Sequence, residues 1–205
     1  MSEAHFYEPK DGHRLAHDPL NAIVAPRPIG WVSTIGADGT ANLAPYSFFN
    51  LFNYRPPIIG FSSTGRKDSL ENARATGEFV WNLVTRELAE VMNASSAMVG
   101  PEVDEFALAG IDKAPSRLVA PPRVAASPVQ FECRVTQIVQ LQTHEGRELN
   151  QWLVMGEAVG IHIDPAMLED GVYQTARAVP ITRAGGPADY FAITEDALFR
   201  MRRPD

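Results

Sequence analysis

Val129-Gln-Phe-Glu-Cys-Arg-Val-Thr136 alternates apolar and polar side chains without a break. Successive side chains of an extended chain leave opposite faces, so Val129, Phe131, Cys133 and Val135 share one face and Gln130, Glu132, Arg134 and Thr136 the other. This period of two predicts a strand with one apolar and one wet face, the pattern of an antiparallel sheet. Downstream, Glu145-Gly146 marks a turn. Leu149 to Ile163 then forms a second long extended segment, with Gly156 and Gly160 at bulges or close backbone approaches and Asp164-Pro165 as its end. Upstream, Ile29 to Ile35, Ala41 to Ser47 and Ile58 to Ser62 read as strands. The first two are joined through Gly36-Ala-Asp-Gly39, where Asp-Gly supplies the positive φ of a tight hairpin. Phe79, Trp81 and Leu83 alternate with Val80, Asn82 and Val84 in a further strand.

Helices are few. Asp68 at an N-cap position, Glu71 in capping-box spacing and Gly77 at the exit predict a helix with its core at Ser69 to Thr76. Leu88, Val91, Met92 and Ser95 recur at helical spacing, and Val103 to Gly110 offers a short helix within a proline-rich excursion from Pro101 to Pro128. Many strands in hairpin connections with few helices predict a mainly β chain folded as a closed or nearly closed antiparallel barrel. The 205 residues fit one domain, with a proline-broken arm over about 1 to 28 and a tail over about 166 to 205. Within that tail, Arg183-Ala-Gly-Gly186 and Tyr190 either close over a site or belong to a mobile end.

Eighteen Lys and Arg against 25 Asp and Glu leave a formal charge of −7, which argues against a nucleic-acid surface. No apolar run approaches the roughly 20 residues of a membrane helix, and the first residues lack the basic and apolar regions of a signal peptide, so the expectation is a soluble cytoplasmic protein. The single cysteine, Cys133, excludes an intrachain disulfide and a cysteine-cluster metal site, and its strand position suggests packing. His13 and His17 stand four apart in the arm without a third ligand, so no metal is expected. Asn93-Ala-Ser95 fits a glycosylation sequon but lacks a secretory context.

Gly60-Phe-Ser-Ser-Thr-Gly-Arg-Lys-Asp-Ser69 runs from a strand end through hydroxyl residues into a helix start. It is not a nucleotide-triphosphate loop, because Gly65 is followed by Arg66, Lys67 and Asp68. Open N–H groups, hydroxyls and Lys67 or Arg66 nevertheless suit a small phosphate monoester. The alternative is a capped helix carrying two solvated cations. Asn42-Leu-Ala-Pro-Tyr-Ser-Phe-Phe-Asn50 mixes aromatic side chains with Asn and Ser more freely than a plain core strand does.

These stretches, with Arg27-Pro-Ile-Gly-Trp-Val-Ser-Thr34, Lys67-Asp-Ser-Leu-Glu-Asn72 and Gly77-Glu-Phe-Val-Trp-Asn-Leu-Val84, resemble the flavin reductase-like family in order and spacing. The resemblance spans roughly residues 20 to 165, with weaker echoes at Val103 to Gly110, Phe131 to Cys133 and Gly156 to Asp164. It implies a split antiparallel β-barrel binding FMN. The phosphate is expected by Ser62, Ser63, Lys67, Asp68 and Ser69, with Asp68 capping the helix. The ring system is expected against Val32, Ser33 and Thr34 on one strand and Ala44, Pro45, Ser47 and Asn50 on another. The implied activity is an oxidoreductase taking hydride from NADH or NADPH and passing electrons to another small acceptor or to free flavin for a partner monooxygenase. The flavin itself is then the catalytic group, and His162 is a structural strand histidine. A homodimer is implied as well, with Tyr46 to Tyr54 as apolar contact surface. Two other readings stand beside this one: an FMN-carrying electron-transfer protein fed by a protein partner, and a haem- or ligand-binding split barrel without redox turnover.

Overall fold

A computed structural model describes residues 4–204. A single turn, α1 (Leu20–Ile23), precedes five strands: β1 (Arg27–Pro28), β2 (Gly30–Ile35), β3 (Ala41–Tyr46), β4 (Phe49–Tyr54) and β5 (Pro57–Thr64). Next come α2 (Asp68–Thr76), β6 (Glu78–Asn82), α3 (Ala89–Ala94) and α4 (Glu105–Leu108). A small hairpin of β7 (Lys113–Ala114) and β8 (Arg123–Val124) leads into the two long strands, β9 (Val129–Gln142) and β10 (Glu148–Ile163). Two further hairpins end the chain, β11 (Leu168–Glu169) with β12 (Val172–Tyr173) and β13 (Ile181–Arg183) with β14 (Tyr190–Ala192).

Seven strands form one antiparallel sheet in the order β3-β2-β6-β9-β10-β5-β4. Its two edge strands, β3 and β4, are consecutive in the chain. Six inter-strand steps of about 4.8 Å would hold the edges of a flat sheet about 29 Å apart, whereas the three steps from Tyr46 to Phe49 reach only about 10 Å. The sheet must therefore curl until its edges approach. At the seam the Ser62 N–H donates to the Phe48 carbonyl (2.8 Å), and the Tyr46 and Phe61 rings lie 4.7 Å apart. Phe49 stacks on Trp81 at 5.4 Å and crosses Gly30 so closely that a Cβ there would come 2.7 Å from its Cδ2. Among the described residues no ladder joins β3 to β4, so the barrel is split at this point.

The barrel interior holds Val32, Phe61, Leu70, Phe79, Cys133 and Val154, all fully buried. A second cluster of Trp31, Leu43, Val84, Met92, Phe106 and Val124 lies between the outside of the sheet and residues 85–128. That second layer covers half of the wet face expected on β9, while Arg134 and Thr136 stay exposed as expected. Gln130 and Glu132 are buried beneath the excursion. Gln130 donates to the carbonyls of Val124 (3.2 Å) and Ser127. Glu132 accepts from the N–H groups of Arg117 (2.8 Å) and Leu118 (2.6 Å) and lies 2.5 Å from His162 Nε2. Buried polar side chains persist only with such partners.

Gly156 and Gly160 sit at register shifts of the β9–β10 ladder, and Gly77 ends α2 in the left-handed region at φ 72°. Asp68 is not a cap. It is the first helical residue, Lys67 holds the cap position with no side-chain cap bond, and Glu71 pairs with Arg66 (2.8 Å) and Arg74 (3.3 Å). β4 escapes the alternation argument because all but its first residue are exposed. Residues far apart in the sequence meet here: β13 pairs with β1, Ile181 and Thr182 are buried, and the Arg27 guanidinium bonds the Ala184 carbonyl (3.1 Å). Ser95 of the sequon is buried, where its hydroxyl accepts from Trp31 Nε1 (3.0 Å). Burial pushes the Cys133 thiol far up, consistent with packing. Among the described residues no helix is long and apolar enough to cross a membrane, and no three metal-ligating side chains gather.

Candidate functional site

The seam is where the candidate residues converge. β5 ends in Ser62-Ser-Thr64, turns at Gly65 with φ 81°, and enters α2. The first N–H groups of any helix lack intrahelical partners and carry partial positive charge. Here no side chain caps them, and Lys67 stands exposed beside them. Opposite run Ala44, Pro45 and Ser47, and the chain leaving α3 closes a third side with Ser95 to Val99. Together they enclose a cleft of about 360 Å³.

Its inner wall is polar. Asn42 Nδ2 donates to Ser69 Oγ (2.8 Å) and Thr34 Oγ1 (3.2 Å), which fixes the Ser69 hydroxyl. The Tyr46 hydroxyl is enclosed, at 7% residue exposure, beside the Ser69 and Ser63 hydroxyls. Burial pushes its phenol above the usual range, an effect that the neighbouring Ser69 and Ser63 hydroxyls oppose and Asp68 and Glu105 reinforce. Glu105 is buried and accepts the Leu43 N–H (3.0 Å). Its carboxyl is raised chiefly by burial; the Leu43 N–H opposes that shift, and Asp68 adds to it. Asp68 is raised by burial and by Glu102. Lys67 and the helix start thus share the cleft with two carboxyls, Asp68 and Glu105, each raised chiefly by burial.

Of the residues expected from the sequence, Ala44, Pro45, Ser47, Ser62, Lys67, Asp68 and Ser69 line this cleft. Ser63 lies behind it, fully buried, its hydroxyl donating to the Gly65 carbonyl (3.0 Å). Val32, Ser33 and Thr34 do not reach the cleft. Their side chains are enclosed within the chain, Ser33 Oγ donating to the Pro122 carbonyl (2.5 Å) and Thr34 Oγ1 accepting from Asn42 and Asn72. They support β3 from the adjacent strand. Asn50 lines a separate apolar groove with Phe48, Phe52 and Leu153. Tyr46 and Glu105 are functional candidates the sequence reading did not single out. Tyr46 carries a signal, a polar-tipped ring inside an otherwise enclosed strand; Glu105 has none, because only the excursion's path brings it here.

His162 lies elsewhere. The register places Pro45, Trp31, Asn82, Gln130 and His162 in one row across β3, β2, β6, β9 and β10. Four strand spacings along the sheet amount to about 19 Å.

The match to known proteins agrees with this geometry. The profile described as "Flavin reductase like domain" covers residues 24–182. An uncharacterised protein of Aquifex aeolicus is 38% identical over 172 residues, 80% of this chain and 83% of that one. Nitrilotriacetate monooxygenase component B from Bacillus cereus superposes with a TM-score of 0.83 at 27% identity, covering 98% of both chains. The 2-nitrobenzoate 2-nitroreductase of Pseudomonas fluorescens gives 0.77 at 28% identity, over 90% of this chain and 88% of that one. A seven-stranded antiparallel sheet curled on itself, split beside a helix start, and a profile match over most of the chain make this protein a member of the flavin reductase-like family.

Proposed function

We propose that the protein is an FMN-dependent oxidoreductase that takes hydride from NADH or NADPH and passes electrons to a small acceptor, with free flavin for a partner monooxygenase as one such acceptor. The observation that carries the reading is the seam cleft: an uncapped helix start and Lys67 at one end, with the Ser62 and Ser69 hydroxyls beside them.

The residues present fit FMN. Lys67, the Ser62 hydroxyl and the first N–H groups of α2 would hold the phosphate. Ala44 and Pro45 offer an apolar wall that excludes water, while Asn42 keeps the Ser69 hydroxyl oriented. When bound, FMN supplies the two-electron acceptor that hydride chemistry needs. The chain's own task is positioning, and no side-chain acid or base is assigned to the transfer. Asp68 is part of the helix start, not its cap.

The second part of the proposal is a homodimer. Leu51, Phe52 and Tyr54 on β4 are about half exposed or more, at 49%, 52% and 72%. An apolar edge strand of this kind calls for a cover.

An absorbance spectrum of the purified protein tests for flavin, and stopped-flow bleaching by NADH and by NADPH tests the donor. Bound FMN that neither nucleotide reduces would assign the protein to electron transfer from a protein partner, and a haem spectrum would end the flavin reading. Light scattering should give twice the chain mass; a monomer retaining FMN would refute the dimer.

A further inference from the structure

The tail is anchored as far as β14. The Arg183 guanidinium bonds the carbonyls of Gly186 (3.0 Å), Pro187 (2.8 Å) and Asp189 (3.3 Å) and lies 4.7 Å from the Tyr190 ring centroid, which holds the β13–β14 hairpin in shape. Just past it the Ile193 N–H bonds the Pro180 carbonyl (2.8 Å), and the turn at Glu195–Ala197 closes with the Leu198 N–H on the Glu195 carbonyl (3.0 Å). From Phe199 to Pro204 the chain enters no hydrogen bond among the described residues. Yet this stretch is not polar. Leu198, Phe199 and Met201 are 67%, 78% and 83% exposed. Arg200, Arg202 and Arg203 stand among them, and none has a carboxylate within ion-pairing distance among the described residues. Uncovered large apolar side chains in a row, set between unpaired cations, mark an interaction surface.

The root of this stretch lies on the side of β4. β14 pairs with β13 and β13 with β1, and Arg27 of β1 sets its guanidinium 5.8 Å from the centre of the Phe48 ring, next to the start of β4. Residues 193–204 can span up to about 40 Å when extended, enough to cross onto a neighbouring molecule. We propose that they form a strap between subunits: Leu198, Phe199 and Met201 lie against the exposed apolar β4 side of a second copy, and Arg200, Arg202 and Arg203 meet that copy's acidic surface. The partner copy follows from charge. Each chain carries a formal −7, so two copies repel on contact, and three guanidinium groups laid across the seam between them offset part of that repulsion. Arginines beside apolar side chains also suit an anionic lipid surface, but the stretch forms only the single turn Glu195–Ala197 and no amphipathic helix, and the chain's own negative charge opposes such a surface. The strap rests on the dimer reading and adds to it the segment that fastens the pair.

Phe199→p-benzoylphenylalanine places a photoreactive ketone in the strap of the full chain. Irradiation at micromolar concentration should give a covalent product of twice the chain mass, with the captured peptide falling within residues 46–54. Replacing the apolar residues together, Leu198→Ser with Phe199→Ser and Met201→Ser, should raise the dimer's dissociation constant about a hundredfold in sedimentation. Reversing the charges together, Arg200→Glu with Arg202→Glu and Arg203→Glu, should raise it about tenfold, an effect that shrinks in high salt. These positions are exposed and unpartnered, so both variants are expected to fold. A cross-link confined to the carrier's own chain, or sedimentation unchanged in both variants, would overturn the strap and leave the dimer standing. A protein that is monomeric with its tail intact would end the dimer reading and the strap with it. Vesicles of phosphatidylserine and phosphatidylcholine supply the remaining arm: capture of lipid with no capture of a second chain would make the segment a membrane contact and refute the proposal.

Discussion

Replacing Lys67 by Ala removes the one flexible cation at the start of α2 while leaving the open N–H groups in place. A charge-assisted contact to phosphate contributes about 1.5 to 3 kcal/mol. Lys67 is exposed, and Asp68 and Glu105 share its cleft, so the lower end applies. A loss of about 1.5 kcal/mol is a little over tenfold in Kd. Riboflavin has no phosphate, so its affinity should not move. Asp68→Asn should act in the opposite direction, because it removes a carboxyl from the same helix turn. Quenching of flavin fluorescence on titration into apoprotein reads all of these, and the Lys67 effect should shrink at about 1 M salt, where screening acts within about 3 Å. An equal loss for FMN and riboflavin would refute the placement of the phosphate, as would equal affinity of the unmutated protein for both.

Glu132→Ala leaves the Arg117 and Leu118 N–H groups and His162 without their acceptor and should cost about 2 to 4 kcal/mol in urea unfolding at neutral pH. Burial alone would raise this carboxyl, but the Arg117 N–H, His162 and the Leu118 N–H outweigh it and hold the group below its ordinary 4.5. Its stabilisation is therefore complete above that value and fades as pH falls through the folded one; a gap between variant and parent that widens on acidification would contradict this. Gly156→Ala places a methyl 2.4 Å from Phe79 Cε1 and 3.0 Å from the Arg134 carbonyl, an overpacking expected to cost about 1 to 3 kcal/mol in thermal unfolding. Gly146→Ala meets nothing within 4 Å at φ 86° and should lose only about 1 kcal/mol from its backbone. His162→Gln should slow flavin reduction by NADH or NADPH less than about tenfold at intact FMN content; a larger drop in single turnover would make the histidine catalytic despite its distance from the cleft.

Periodicity, turn residues and helix exits are local properties, which is why β2, β3, β5, β6, β9, β10, α2 and the bulges at Gly156 and Gly160 are legible in the sequence. The phosphate-suited turn is legible for the same reason: Ser62, Lys67 and Ser69 lie within eight consecutive residues. What lies over a strand is not local. The polar side of β9 reads as wet until the chain from Pro101 to Pro128 folds back and supplies Glu132 and Gln130 with backbone partners. Likewise nothing within Val32-Ser-Thr34 tells that both faces of β2 are covered, so their role as support for β3 appears only with the packing. β4 hides because beyond Phe49 neither face of this edge strand is covered, so its side chains need not alternate. Glu105 reaches the cleft only through the path of the excursion. Local chemistry is written in short stretches of sequence; enclosure, and with it the shape and charge of the seam cleft, depends on which distant segments come to cover it.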